Sequence, residues 1–120
     1  MLVKAQADTH TPMDSGPLLQ AYLTGAEIGL TAPGTSQLIQ SCGYPKIAVG
    51  ATNSVAGSIN VQRYLDAAGT IPQGPALTAA LSAATAGVLN VTDGVPFLSF
   101  TVNITGAGTL SGVAVLLQSR

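Results

Sequence analysis

Few residues in this chain are equipped for chemistry, and they lie far apart. There is one histidine, His10, and one cysteine, Cys42; the carboxylates are Asp8, Asp14, Glu27, Asp66 and Asp93. General acid–base work needs titratable groups converging on one reacting atom. Nucleophilic catalysis needs a thiol or hydroxyl beside an oriented base. Nothing local pairs Cys42 with His10, so Cys42 is expected to be a small packed or partly exposed thiol. A single cysteine also excludes an intrachain disulfide and a cysteine-based zinc site. No cluster of His, Asp or Glu has metal-ligand spacing. The Gly-bounded stretch from Gly50 to Gly57 lacks the lysine of a phosphate-binding loop. Asn90-Val91-Thr92 and Asn103-Ile104-Thr105 match the glycosylation triplet, but the N-terminus lacks a continuous apolar signal-peptide core, so they read as chance matches. The expectation is a protein that is not an enzyme, with no catalytic residue, no metal and no cofactor, made in a cytosol.

Composition turns attention from sites to surfaces. Charged residues are only 8 % of the chain and apolar residues 47 %. An ordinary soluble domain carries roughly 25 % charged residues. Four basic against five acidic side chains leave a net charge of −1. That balance provides no electrostatic footprint for nucleic acid, and no apolar run has the length of a membrane helix. Polarity comes from Ser, Thr, Asn, Gln and Gly, a mix suited to strands and turns. So few charges do little to keep copies of a chain apart. The reading is that other subunits cover much of this surface.

With 120 residues the chain reads as one domain. The clearest element is its end, residues 96–118. Leu98, Phe100, Val102 and Ile104 alternate with Ser99, Thr101, Asn103 and Thr105, the period-two pattern of a strand with one buried face. A Gly-Ala-Gly turn follows, then a second run with Leu110, Val113, Val115 and Leu117 as its apolar members. The pair is expected to form a β-hairpin. Residues 58–66 read as a strand with Ile59, Val61 and Leu65 on one face. Arg63 shares that face and must sit at a sheet edge or meet a carboxylate. Asn60, Gln62, Tyr64 and Asp66 face the other way. Tyr64 could anchor an interface, because a ring offers contact area at low entropy cost.

Further strands are expected at residues 35–41, 46–51 and 88–92. Residues 18–32 fit a helix weakened by Gly25 and Gly29, or two strands near residues 21–23 and 27–30. Residues 77–84 would also make a helix; a strand is favoured because Thr78, Ser82 and Thr85 fall on one polar side. Asp93-Gly94 is a tight-turn dipeptide. Residues 1–17, with Thr9, Thr11, Asp14 and Ser15 around Pro12 and Pro17, read as an extended arm, and residues 18–120 as a β domain. The fold class is therefore all-β: a compact β-sandwich or jelly-roll-like barrel with an extended N-terminal arm. Between Asp66 and Arg120 only Asp93 is charged. Neutral strand edges invite pairing, so these edges should be closed, sandwiched or buried between subunits.

The stretch from Ile59 to Gln118 carries three features: the strand at residues 59–66, the turn Asp93-Gly94-Val95-Pro96-Phe97, and the strand Phe100-Thr101-Val102-Asn103-Ile104-Thr105. On these it resembles small structural proteins of tailed-bacteriophage virions, in particular capsid decoration (cement) proteins. The resemblance spans about half the chain and rests on pattern rather than on a signature motif. It implies a compact β fold assembled as a trimer, a major capsid protein as partner, and a place on the capsid surface of the virion. Under that reading Asn60, Gln62, Tyr64, Thr101 and Asn103 are candidate subunit contacts, and Lys4 and His10 of the arm are candidate capsid contacts. The alternative is a fibre or spike-associated module that binds a host-surface receptor or glycan. With only Tyr22, Tyr44 and Tyr64 as tyrosines and no tryptophan, the chain is thinly equipped for sugar recognition.

Overall fold

The computed structural model describes residues 6–7 and 19–119. They form ten strands: β1 (Gln6–Ala7), β2 (Leu19–Thr24), β3 (Gly34–Thr35), β4 (Ile39–Gln40), β5 (Lys46–Asn53), β6 (Gly57–Tyr64), β7 (Leu77–Leu81), β8 (Gly87–Val91), β9 (Ser99–Thr105) and β10 (Leu110–Gln118). The first sheet has the order β1-β2-β10-β5-β8. In the second, β7 pairs with β6, β6 with β9, and both β3 and β4 with β9. All pairs are antiparallel. The fold is all-β and β-sandwich-like. Of the expected arm, only Gln6 and Ala7 are described; they pair with Gln20 and Leu19.

Alternation explains the layering. Leu23, Ile47, Val49, Val115 and Leu117 point inward from the first sheet, and Ile59, Val61, Phe100, Val102 and Ile104 from the second. Burying one face of each sheet against the other removes this apolar surface from water. Residues 19–24 settle as a strand because Ala21 and Leu23 complete the inner face. Likewise residues 77–81 are a strand, registered against residues 57–61 of β6.

The largest correction concerns the chain's end. β9 and β10 are not a hairpin; they lie in different sheets. Both sides of β9 are taken by β6 and by β3 with β4, and both sides of β10 by β2 and β5. Residues 106–109 therefore cross between sheets. The irregular spacing of Leu110, Val113, Val115 and Leu117 also has a cause. Ser111 pairs with Thr52 and Ala114 with Gly50, so two residues of β10 face one of β5. This is a β-bulge, with Gly112 at φ +62° supplying the left-handed conformation. It returns Val115 and Leu117 to the core.

Smaller corrections follow. Residues 25–29 form turns, so the expected strand at 27–30 is absent, although Ile28 and Leu30 are buried. The expected strand at residues 35–41 is two short pieces, β3 and β4. Asp93-Gly94 lies on a crossing between sheets, not in a hairpin. Leu98 and Leu65, expected in the core, precede and follow their strands and are 54 % and 46 % exposed. Ser99, expected on an open polar face, is fully buried: its hydroxyl donates to the Asp66 carbonyl at 2.7 Å, under the loop that follows β6. Arg63 lies on a central strand rather than an edge, and it does meet a carboxylate.

Candidate interaction surface

Among the described residues no group of three or more His, Cys, Asp or Glu side chains could hold a metal. Cys42 is exposed, with φ +51°. Tyr44 is buried beside it. Burial, and then the neighbouring Cys42, raise the Tyr44 hydroxyl above the usual tyrosine value. The outer faces of the two sheets offer surfaces for recognition.

The outer face of the second sheet is polar and uncharged. Its strands β3, β4, β6, β7 and β9 contain one charged residue, Arg63, which points inward. Register aligns Thr78, Asn60, Asn103 and Thr35 across four strands. Their side chains form one hydrogen-bonded row. Thr78 Oγ1 donates to Asn60 Oδ1 at 2.8 Å, Asn60 Nδ2 to Asn103 Oδ1 at 3.1 Å, and Asn103 Nδ2 to Thr35 Oγ1 at 2.9 Å. Beside the row, the Ser58 and Thr105 hydroxyls share a hydrogen bond of 2.8 Å. Gln62, opposite Thr101, turns its amide to the carbonyls of Arg63 and Gly74 at 2.9 and 3.0 Å.

Asn60, Gln62, Tyr64, Thr101 and Asn103 thus share one face, half-buried on the neighbouring strands β6 and β9. Asn60 and Asn103 are in direct contact. Tyr64 lies at the end of this face, bridged through its backbone to Pro72. Lys4 and His10 lie outside the described residues. Thr35 and Thr78 complete the row and were not foreseen. Alternation marks them as polar positions, but only the register of distant strands reveals that they align.

This row has a physical consequence. A polar group loses free energy when covered unless it keeps a hydrogen-bond partner. Here the amides already have partners within the sheet, so a second protein surface can cover them without stripping away water-bound donors. Among the described residues, no buried side-chain nitrogen or oxygen lacks a partner.

The outer face of the first sheet differs. Tyr22, Leu116, Ala48 and Asn90 form one register row, and Thr24, Ala114, Gly50 and Val88 the next. Small residues make its centre shallow, while Tyr22 (60 % exposed) and Val88 (56 %) stand at its borders. Beyond Tyr22 an open hollow of about 380 Å³ is lined by Thr24, Leu30, Thr31, Ser111 and Val113, among others.

No protein-family model matches the chain, and no curated protein matches it either. The functional reading therefore rests on these surfaces and on the sequence.

Proposed function

We propose that this chain is a structural virion protein that binds the outside of a bacteriophage capsid as an oligomer and stabilises the shell by bridging capsid subunits. The observation that carries the reading is the second sheet's outer face, a four-strand polar row with no charge and its amides already paired. Such a face suits permanent cover by another subunit. Three copies arranged about a threefold axis would place Asn60, Gln62, Tyr64, Thr101 and Asn103 in their mutual contacts. Lys4 and His10, from the sequence alone, are assigned to contact with the major capsid protein. Bridging several capsid subunits with one oligomer multiplies weak contacts through effective concentration. The sequence resemblance to decoration proteins of tailed phages supports the same partner.

The test is addition of the purified protein to undecorated capsids of the phage that encodes it. Saturable binding at a fixed ratio per capsomer junction, with a raised shell melting temperature, is the expected result. Absence of binding together with adhesion to host cells would sink the proposal. A second reading, a fibre-associated module recognising a receptor or glycan, draws on the exposed Tyr22 beside a hollow of mixed lining that includes the hydroxyls of Thr24, Thr31 and Ser111. Under that reading Tyr22→Ala abolishes cell adhesion; under the capsid reading it leaves shell binding intact.

A further inference from the structure

The two sheets have four lateral edges, and they are not alike. On one side the edges are broken: β1 has two residues, and β3 and β4 have two each. Between β3 and β4 the chain leaves its strand path to bond elsewhere, Gln37 donating its N–H to the Ile28 carbonyl at 2.8 Å. On the other side lie β7 and β8, five residues each and free of bulges in their recorded pairings. Proteins usually guard such edges with a lysine, a proline or a bulge. Gly87, Val88, Leu89, Asn90 and Val91 provide none of these. Only β5 pairs with β8 among the described residues. In an antiparallel ladder alternate residues of an edge strand direct their N–H and C=O groups away from the sheet. Among the described residues, then, the outward N–H and C=O groups of β8 have no strand partner, while Leu81 of β7 packs against its Gly87 end.

We propose that β8 is a self-pairing edge, and that its occupant is β8 of a second copy of this chain, antiparallel and related by a twofold axis through Leu89. Three observations favour a second copy. First, this register sets Gly87 against Val91 of the other copy and Val88 against Asn90. The small residue meets the larger one on the inner face, and Leu89 meets itself in continuation of the core. Second, the pairing brings no like charges together. β8 has none, and the nearest charges, Lys46 and Asp93, both lie toward its Val91 end, so antiparallel pairing sends the two sets to opposite ends of the joined sheet. Third, the contact closes on itself. Once two β8 strands pair, both copies' β8 edges are consumed, so association through β8 stops at two copies instead of growing into a fibre.

The contact is small. Five residues span about 17 Å of strand, well short of a standard interface of roughly 1,600 Å². Free copies should therefore pair weakly, with a dissociation constant in the high micromolar range, and pair firmly only where something holds them close together. This inference does not rest on the capsid reading. If that reading holds, twofold edge pairing links neighbouring oligomers across the shell; if it fails, the pairing still occurs in solution.

The experiment uses two variants of the full chain, Val88→Lys with Asn90→Lys, and Val88→Asp with Asn90→Asp. Both positions are exposed, and in the proposed register each change places like charges directly opposite one another. Sedimentation velocity is run from about 10 µM to about 1 mM. The wild type should show a concentration-dependent doubling of its smallest species, with β8 amides gaining protection from hydrogen exchange. Each variant alone should lose the doubling by at least tenfold in association constant. An equimolar mixture of the two variants should regain it. The proposal is overturned if the wild type never doubles, if the variants double as well as the wild type, or if the mixture fails to recover. Capsid binding is measured in parallel on the lysine variant; its retention with loss of doubling separates this inference from the capsid reading.

Discussion

The two ends of the sandwich join their sheets by different chemistry. At one end the join is neutral. Asn53, fully buried at the end of β5, donates from Nδ2 to the carbonyls of Thr105 and Gly106 at 3.1 and 3.0 Å, and accepts the Val55 N–H at 3.3 Å. It holds the crossing from β9 to β10. Gly57 lies against the same crossing, where any Cβ would collide with the Thr105 carbonyl. At the other end the join is ionic. Arg63, 5 % exposed, donates Nη1 and Nη2 to the two Asp93 oxygens at 2.7 and 2.9 Å. Its guanidinium lies 5.7 Å from the centroid of the Phe97 ring, which meets Phe100 edge-on. The neutral end depends on shape and complete hydrogen bonding. The ionic end depends on a partner and on pH.

The largest expected effect comes from breaking the ionic end. Asp93→Ala leaves a buried guanidinium without its counter-charge. Removing one member of a buried pair costs about 3–5 kcal/mol, and the low end applies here because 43 % of the Asp93 side chain is open to water. Urea unfolding at neutral pH measures the loss. Arg63→Met combined with Asp93→Asn should recover most of it. No unpaired charge then remains, and the amide oxygen of the substituted side chain can still accept the Val95 N–H that Asp93 accepts at 3.2 Å. The same end should be sensitive to acid. The Arg63 hydrogen bonds, followed by the Val95 N–H, hold the Asp93 carboxyl below the usual carboxylate range. A carboxyl depressed on folding stabilises the fold fully above its unfolded pKa and ceases to do so as pH falls through the folded value. Stability should therefore hold at neutral pH and decline below about pH 4. Asp66, lowered by the Thr70 hydroxyl and the Ile71 N–H, acts in the same direction from an exposed loop. If the double variant shows the wild-type acid decline unchanged, the ion pair is not its source.

Breaking the neutral end should cost less and show no such pH signature. Asn53→Ala deprives two carbonyls and one N–H of their partner, with an expected loss of about 2 kcal/mol. That loss should be the same at pH 4 and pH 8, because neither the Asn53 amide nor its partners, the backbone groups of Val55, Thr105 and Gly106, can titrate. A loss that grows in acid would mean that the two ends are coupled, and the contrast between them would fail.

These ends also show what the sequence made legible. Alternation identified β5, β6, β8, β9 and β10 and most of the inward residues, since a half-buried strand must repeat every two positions. It also marked Arg63, lying in an apolar register, as needing either a sheet edge or a carboxylate; the strand is central and the carboxylate is there. It could not name Asp93, thirty positions away, because the pairing is set by how two sheets stack. Alternation equally could not distinguish a hairpin from a crossing between sheets. Two neighbouring strands with one apolar face each satisfy either arrangement, and the choice falls to which edges other strands already occupy. Asn53 lies just past the strand expected at residues 46–51, and its role is hidden for the same reason: it depends on residues 105 and 106 arriving over it. The candidate surface was legible as a set of neutral polar positions; its row across four strands was not.

The smallest expected effect on stability is on that surface, and it sharpens the contrast between holding the fold and using it. Thr101 lies half-buried on the outer face of β9, opposite Gln62 and between the amide row and the Tyr64 end. A lysine there can extend into solvent from an isolated copy, so Thr101→Lys should alter unfolding free energy by no more than about 0.5 kcal/mol. In an oligomer built on this face, symmetry brings each new charge into a contact that carries none, where it must either be desolvated or push the copies apart. If the proposed capsid role holds, the expected outcome is a monomer with wild-type stability and lost capsid binding, seen by light scattering and by capsid sedimentation. Should Thr101→Lys remain oligomeric and still bind shells, the outer face of the second sheet is a solvated surface, and the contacts between copies lie elsewhere on the molecule.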